Sequence, residues 1–363
     1  ILSCSNSTSP ISVLSGLEHL VGISEFQLSN DGLTDTSELS SLSTLTLLKR
    51  LDLSSNSSLS SLPDLSDVSL AILNINATSI VLPDTSESTQ LIPNSLVQLH
   101  VRSVEQFSDR HLSAVRVVLS RVDVLKGGLS SLETLVLQDM PLTLPSDRYV
   151  LPSTIKEFGI YHSPTVQAGF DKNVGYNHLP SLEYIGFGGE DNMITSIESL
   201  SENQLSTIKM FVFYDYSIYD GFNDVISEMT SLEFIYLSNC NLQNIPDLSK
   251  SADTLTDLYI HSNPDITSLA LLPEMGLLDT IYAMDCSISD LSPFALLVAA
   301  DSTNVSLTEL IMNGVSLYDD VAETTSLFDP SILVSVSSIS SLGLASLGLV
   351  DSDLLSIVHL ALD

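Results

Sequence analysis

Three tyrosines, Tyr236, Tyr259 and Tyr282, recur 23 residues apart. Phenol rings repeated on a rigid strand offer contact area at low entropic cost, which is the chemistry of recognition rather than of bond breaking. Beside them lie Phe234, Asp257, Asp279, His261 and Met284, and one interval earlier Tyr214 and Asp215. Such a row can also stabilise a sheet simply by stacking across strands, and the two roles are compatible.

Catalytic constellations are thin. The seven histidines show no H-E-x-x-H spacing, no G-x-S-x-G elbow occurs, and GFGGED at 186–191 lacks the lysine and strand-to-helix context of a phosphate loop. Choosing two of the 45 acidic residues as a glycosidase pair would be arbitrary. Asp220, Asn223 and Asp224 are close enough in sequence for a chance calcium site but lack EF-hand spacing. The expectation is a protein with no enzymatic activity, no resident metal and no cofactor.

The tyrosines belong to one line of text written three times: SLEFIYLSNCNLQNI, TLTDLYIHSNPDITSL and LLDTIYAMDCSISDL. Aligning Leu232, Leu255 and Leu278 puts apolar residues at relative positions one, four and six, and Cys240, Asn263 or Cys286 at position nine. The alternation around positions four and six fits a short strand with one buried face, so positions two, three, five, seven and eight face outward. A small residue at nine can turn inward where the chain leaves the strand, and asparagine can bond orphaned loop amides. One unit cannot bury its own face, so copies must stack.

These residues resemble leucine-rich repeats, whose pattern is L-x-x-L-x-L-x-x-N/C-x-L. The resemblance implies an α/β fold, a leucine-rich-repeat solenoid in the form of a horseshoe or arc. Its concave side would carry a parallel β-sheet and its convex side short helices, 3-10 turns or extended segments. The first segment, with Leu14, Leu17 and Leu20 ahead of Ile23, Phe26, Leu28, Asp31 and Leu33, resembles the subclass of internalins and a protein-phosphatase regulatory subunit.

Further copies start at Leu48, Leu70, Leu96, Leu132, Ile155, Leu182, Ile208 and Leu307, and the last at Leu344. Pro93, Pro152 and Pro180 stand just before three of the strands. Together the copies read as a single array over 1–363 of about 12–13 units, irregular at 103–128 and 318–343. A weaker match lies at Leu112, Val115 and Val117, and SPFALLVAA is expected to form a convex helix capped by Ser292 with Pro293 at its first position. With no leader before Ile1 and no cap before Asp363, the sequence reads as an excerpt of a longer chain.

The 363 residues carry a net charge of −33 and no run of 18 apolar residues, so no membrane insertion is expected in this segment. Eight of the twelve Lys and Arg lie between Arg102 and Lys172, and none follows Lys250. The last third would therefore repel phosphate, which argues against nucleic acid and for a neutral or basic protein or glycan ligand. Cys240 and Cys286, two units apart at roughly 10 Å, cannot pair, and Cys4 has no obvious partner. Sequons occur at Asn6, Asn56, Asn76 and Asn304, of which Asn56, at position nine, is expected to be buried in the turn.

The resulting expectation is a non-catalytic recognition or adhesion scaffold that binds on its concave face, at the cell surface or outside the cell. The Ser/Thr-rich surface and the internalin-like leads favour that location. A cytoplasmic regulatory subunit docking on an enzyme such as a phosphatase is the alternative, which the missing disulfide caps allow.

Overall fold

The computed structural model describes residues 1–5, 16–34, 38–76, 78, 80, 93, 95–102, 131–138, 152–161, 179–189, 197, 200–215, 221–270, 275–288, 307–312 and 341–343. The chain divides into two compact units, Ile1–Thr195 and Ser196–Asp363. The weak match at Leu112, the expected helix after Ser292 and Asp220 lie outside the described residues.

In the first unit eight strands run parallel, each paired with the next. They are β1 (Leu2–Ser5), β2 (Glu25–Ser29), β3 (Arg50–Asp52), β4 (Ile72–Asn74), β5 (Gln98–Arg102), β6 (Thr134–Gln138), β7 (Glu157–Tyr161) and β8 (Tyr184–Gly188). The second unit holds β9 (Met210–Tyr214), β10 (Phe234–Ser238), β11 (Asp257–Tyr259), β12 (Thr280–Tyr282), β13 (Glu309–Ile311) and β14 (Ser341–Gly343), again parallel and consecutive. Between strands the described connections are short: 3-10 turns at Leu17–His19, Glu38–Thr44 and Ser249–Ser251, and helices α1 (Glu202–Leu205) and α2 (Phe222–Ser227). Helix α1 opens with a capping box in which the Ser201 N–H donates to Gln204 Oε1 at 2.8 Å.

The apolar residues at positions one, four and six face the core. Leu232, Ile235 and Leu237 are fully buried, as are Leu255, Leu258 and Ile260, and in the preceding unit Phe211 and Phe213 stack at 4.4 Å. Phe222 of α2 closes on both rings edge-on.

Three recurrent bonds tie one coil to the next. Asn263 at position nine donates Nδ2 to the carbonyls of Leu237 and Ile260, both at 2.7 Å, and its Oδ1 accepts from the N–H groups of Cys240 and Leu242. Asn56 repeats this pattern with Leu28, Leu53, Asp31 and Leu33. A cysteine keeps the donor half: Cys240 Sγ points at the Phe213 carbonyl and Cys286 Sγ at that of Ile260. Neither cysteine forms a disulfide.

Position eight is left-handed in both units, at Asn30, Ser55, Asp215, Asn239, Ser262 and Asp285, with φ between 51° and 60°. That turn aims its N–H at the next coil, as in Ser262 to the Met284 carbonyl at 2.7 Å. Finally, a hydroxyl just before position one donates to the position-one carbonyl one coil back: Ser95 to Leu70, Thr154 to Leu132 and Thr254 to Leu232. These bonds satisfy backbone acceptors that a flat stack of coils would otherwise bury unmet.

One coil is added to the reading, and one register is corrected. Strand β1 pairs Leu2 with Phe26 and Cys4 with Leu28, so a coil precedes the copy at Ile23. At the other end Leu342, not Leu347, pairs with Leu310, so among the described residues the strand beside β13 lies five residues earlier than the copy read at Leu344 implies. The cause is a sequence that satisfies the pattern twice: Ile339, Leu342 and Leu344 fit it as well as Leu344, Leu347 and Leu349 do.

Candidate binding face

The tyrosines stand on the sheet face opposite the core. The register aligns Tyr236 with Tyr259 and Tyr259 with Tyr282, and continues to Val212 on one side and Ile311 on the other. Each tyrosine is half-buried while its chain neighbours Ile235, Leu258 and Ile281 are fully buried, as a period-two strand requires. The rings stack at 5.7 Å between Tyr236 and Tyr259 and at 5.4 Å between Tyr259 and Tyr282. Stacked pairs of this kind contribute about 0.5–1.5 kcal/mol each beyond the area they bury.

The flanking candidates join this row. Phe234 tilts against Tyr259 at 5.2 Å, and Tyr214 meets Tyr236 edge-on at 6.4 Å. His261 sits edge-on between Tyr236 and Tyr282, at 5.1 Å and 5.7 Å, with Nε2 3.2 Å from the Tyr236 hydroxyl. Asp257 and Asp279 stand at positions three and two of their coils, Met284 at position seven, all partly exposed.

The surrounding field is negative. Burial raises the Tyr259 phenol above its ordinary range, and the nearby carboxylates of Asp257 and Glu309 push it the same way. Burial lowers the His261 imidazole, against an opposing pull from Asp285 and Asp215.

In the first unit, position five is occupied differently. Its column runs Gln27, Asp52, Asn74, His100 and Val136 to Gly159 and Gly186. Tyr161 and Tyr184, joined through their hydroxyls, lie over the two glycines; a side chain at Gly186 would come within 2.6 Å of the Tyr184 oxygen. GFGGED therefore begins on strand β8, and the tyrosine pair was missed because its signal is two glycines 27 residues apart at the same relative position. Among the described residues no group of three or more His, Cys, Asp or Glu could hold a metal, and no helix is long and apolar enough to cross a membrane.

No protein-family model matches the chain. Over 173 residues it is 26% identical to the transforming growth factor beta activator LRRC33 of Danio rerio, a match covering 44% of this chain and 25% of that protein. Its fold superposes on the functional domain of InlJ from Listeria monocytogenes, a domain that includes a cysteine ladder. The TM-score is 0.56 at 17% identity, over 94% of this chain and 66% of that one.

The fold is the leucine-rich-repeat solenoid.

A second superposition, on the internalin InlF of Listeria monocytogenes, gives a TM-score of 0.50 at 17% identity, over 97% of this chain and 83% of the other. Within the leucine-rich-repeat frame Asn56, Asn263, Cys240 and Cys286 are the ladder residues of position nine, and the tyrosine row occupies the outward column of the sheet. The chain spans only a quarter of the length of the curated relative it matches.

Proposed function

We propose that this protein is a non-catalytic recognition and adhesion scaffold, working at the cell surface or outside the cell, that binds a protein on the sheet face carrying Tyr236, Tyr259 and Tyr282. The observation that supports this most is the stacked row itself. Its rings are fixed from below by fully buried strand residues and from the side by one another, so little side-chain freedom is left to lose on binding. Half-buried aromatic groups with hydroxyls at the rim are the residue types that anchor interfaces. The likeness in fold to internalins and the partial similarity to a growth-factor activator agree with a surface recognition role.

The test is a screen of displayed extracellular proteins with the parent chain and with a Tyr236→Ala, Tyr259→Ala, Tyr282→Ala variant shown by circular dichroism to be folded. A ligand recovered by the parent and lost by the variant supports the reading. Ligands retained by both place the binding face elsewhere.

A further inference from the structure

The middle of the row is closed on its ring faces and open on its edges. Tyr259, the middle ring, is covered by Tyr236 on one side and Tyr282 on the other, so hydroxyls and ring edges are what it turns outward. A flat ligand seeking an aromatic face cannot lie on it. Carboxylates border the row along both margins: Glu233, Asp257, Asp279 and Glu309 at positions two and three, Asp215 and Asp285 at position eight. The residues 196–363 contain only two cationic side chains of the Lys or Arg type, Lys209 and Lys250. Lys209 lies 3.8 Å from Glu233, and Lys250 pairs with Glu228. The face is thus an aromatic strip between two acidic margins, with little internal positive charge to balance them.

We propose that this face takes an extended basic segment of a protein, its backbone and aliphatic stems crossing the tyrosine edges and its Lys or Arg heads reaching the carboxylates of Asp257, Asp279 and Asp285. This rests on reading the tyrosine face as the binding face, and adds the chemistry of the ligand. Long basic side chains suit such a strip because their stems cover apolar surface while their heads stay at the polar rim. Charge complementarity across a rim sets which partner is accepted and how fast it arrives. Five strands at about 4.8 Å span roughly 19 Å, the length of about six extended residues, so an octapeptide covers the face.

The experiment measures fluorescence anisotropy of labelled octapeptides, four Arg-Ser repeats and four Gln-Ser repeats, with unlabelled maltohexaose as competitor, on the full 363-residue chain. Two charge-neutralised variants are compared: Asp257→Asn, Asp279→Asn, Asp285→Asn at the margins, and Glu202→Gln, Asp224→Asn, Asp247→Asn elsewhere in the same unit. The expected result is binding of the arginine peptide that weakens with salt, falls at least about tenfold in the margin variant and changes less than about twofold in the control. Equal losses in both variants would reduce the effect to general acidity and overturn the proposal. Equal binding of the glutamine peptide, or displacement by the sugar, would overturn it too. If the parent ignores the arginine peptide while a screened ligand is still lost on removing the tyrosines, the basic-segment inference falls and the binding face stands.

Discussion

His261 places Nε2 3.2 Å from the hydroxyl of Tyr236, while its Nδ1 is buried with no hydrogen-bond partner among the described residues. The ring is therefore half satisfied, and the charged imidazolium, which carries a proton on both nitrogens, would hold its Nδ1–H in a site that offers it no acceptor.

The pH dependence follows. Burial holds the imidazole below its ordinary value near 6.5, so between the folded and unfolded values the unfolded chain binds more protons. This contribution to stability is complete above about 6.5 and is lost as pH falls toward the folded value. Urea midpoints at pH 7.5 and 5.5 should differ more in the parent than in His261→Gln. An imidazole titrating at or above 6.5 by NMR would contradict the assignment.

Asn263 makes five ladder bonds from a fully buried side chain. Asn263→Ala leaves backbone groups of two coils unmet and should cost about 1–3 kcal/mol in chemical denaturation. Asn263→Cys, the residue used in the same slot at Cys240 and Cys286, should cost less. An unchanged midpoint in the alanine variant would remove the ladder from the account of stability.

Burial pushes the Cys286 thiol up to about 11, and Cys240 is equally enclosed. Thiolate is the reactive form, so at pH 8 neither should be modified by a thiol reagent until denaturant is added. Mass spectrometry of the labelled native chain checks this: label at Cys240 or Cys286 would mean that the coils open.

Gly186→Ala would drive the Tyr161 and Tyr184 rings apart and break the bond between their hydroxyls. The expected cost is about 1 kcal/mol, because ring tips can swing where backbone could not. Chemical denaturation checks this: a midpoint equal to or above the parent's would contradict the close approach of the two rings to Gly186.

Much of this was legible in the sequence because the repeat has a fixed period. Leucines at positions one, four and six locate most of the coils, and position five points the tyrosines outward. What period cannot supply is choice between equal matches: Leu344 fits position six of one register and position one of another, and only pairing with β13 decides. Strand β1 lacked a preceding lead to announce it. The Tyr161 and Tyr184 pair depends on what faces a glycine one coil away, and the buried Nδ1 of His261 on rings 25 residues before and 21 after, which no local spacing expresses.

The central claim is that the tyrosine face binds. Its most direct measurement is the affinity of a ligand recovered with the parent chain for three proteins: the parent, the Tyr236→Ala, Tyr259→Ala, Tyr282→Ala variant, and a control with Gln27→Ala, Asn74→Ala, Val136→Ala at the same position five of the first unit. Loss of a clustered aromatic anchor costs about 2 kcal/mol or more, so the tyrosine variant should bind at least about thirtyfold more weakly and the control within twofold. Equal affinities for parent and tyrosine variant, or a loss confined to the control, would contradict the claim.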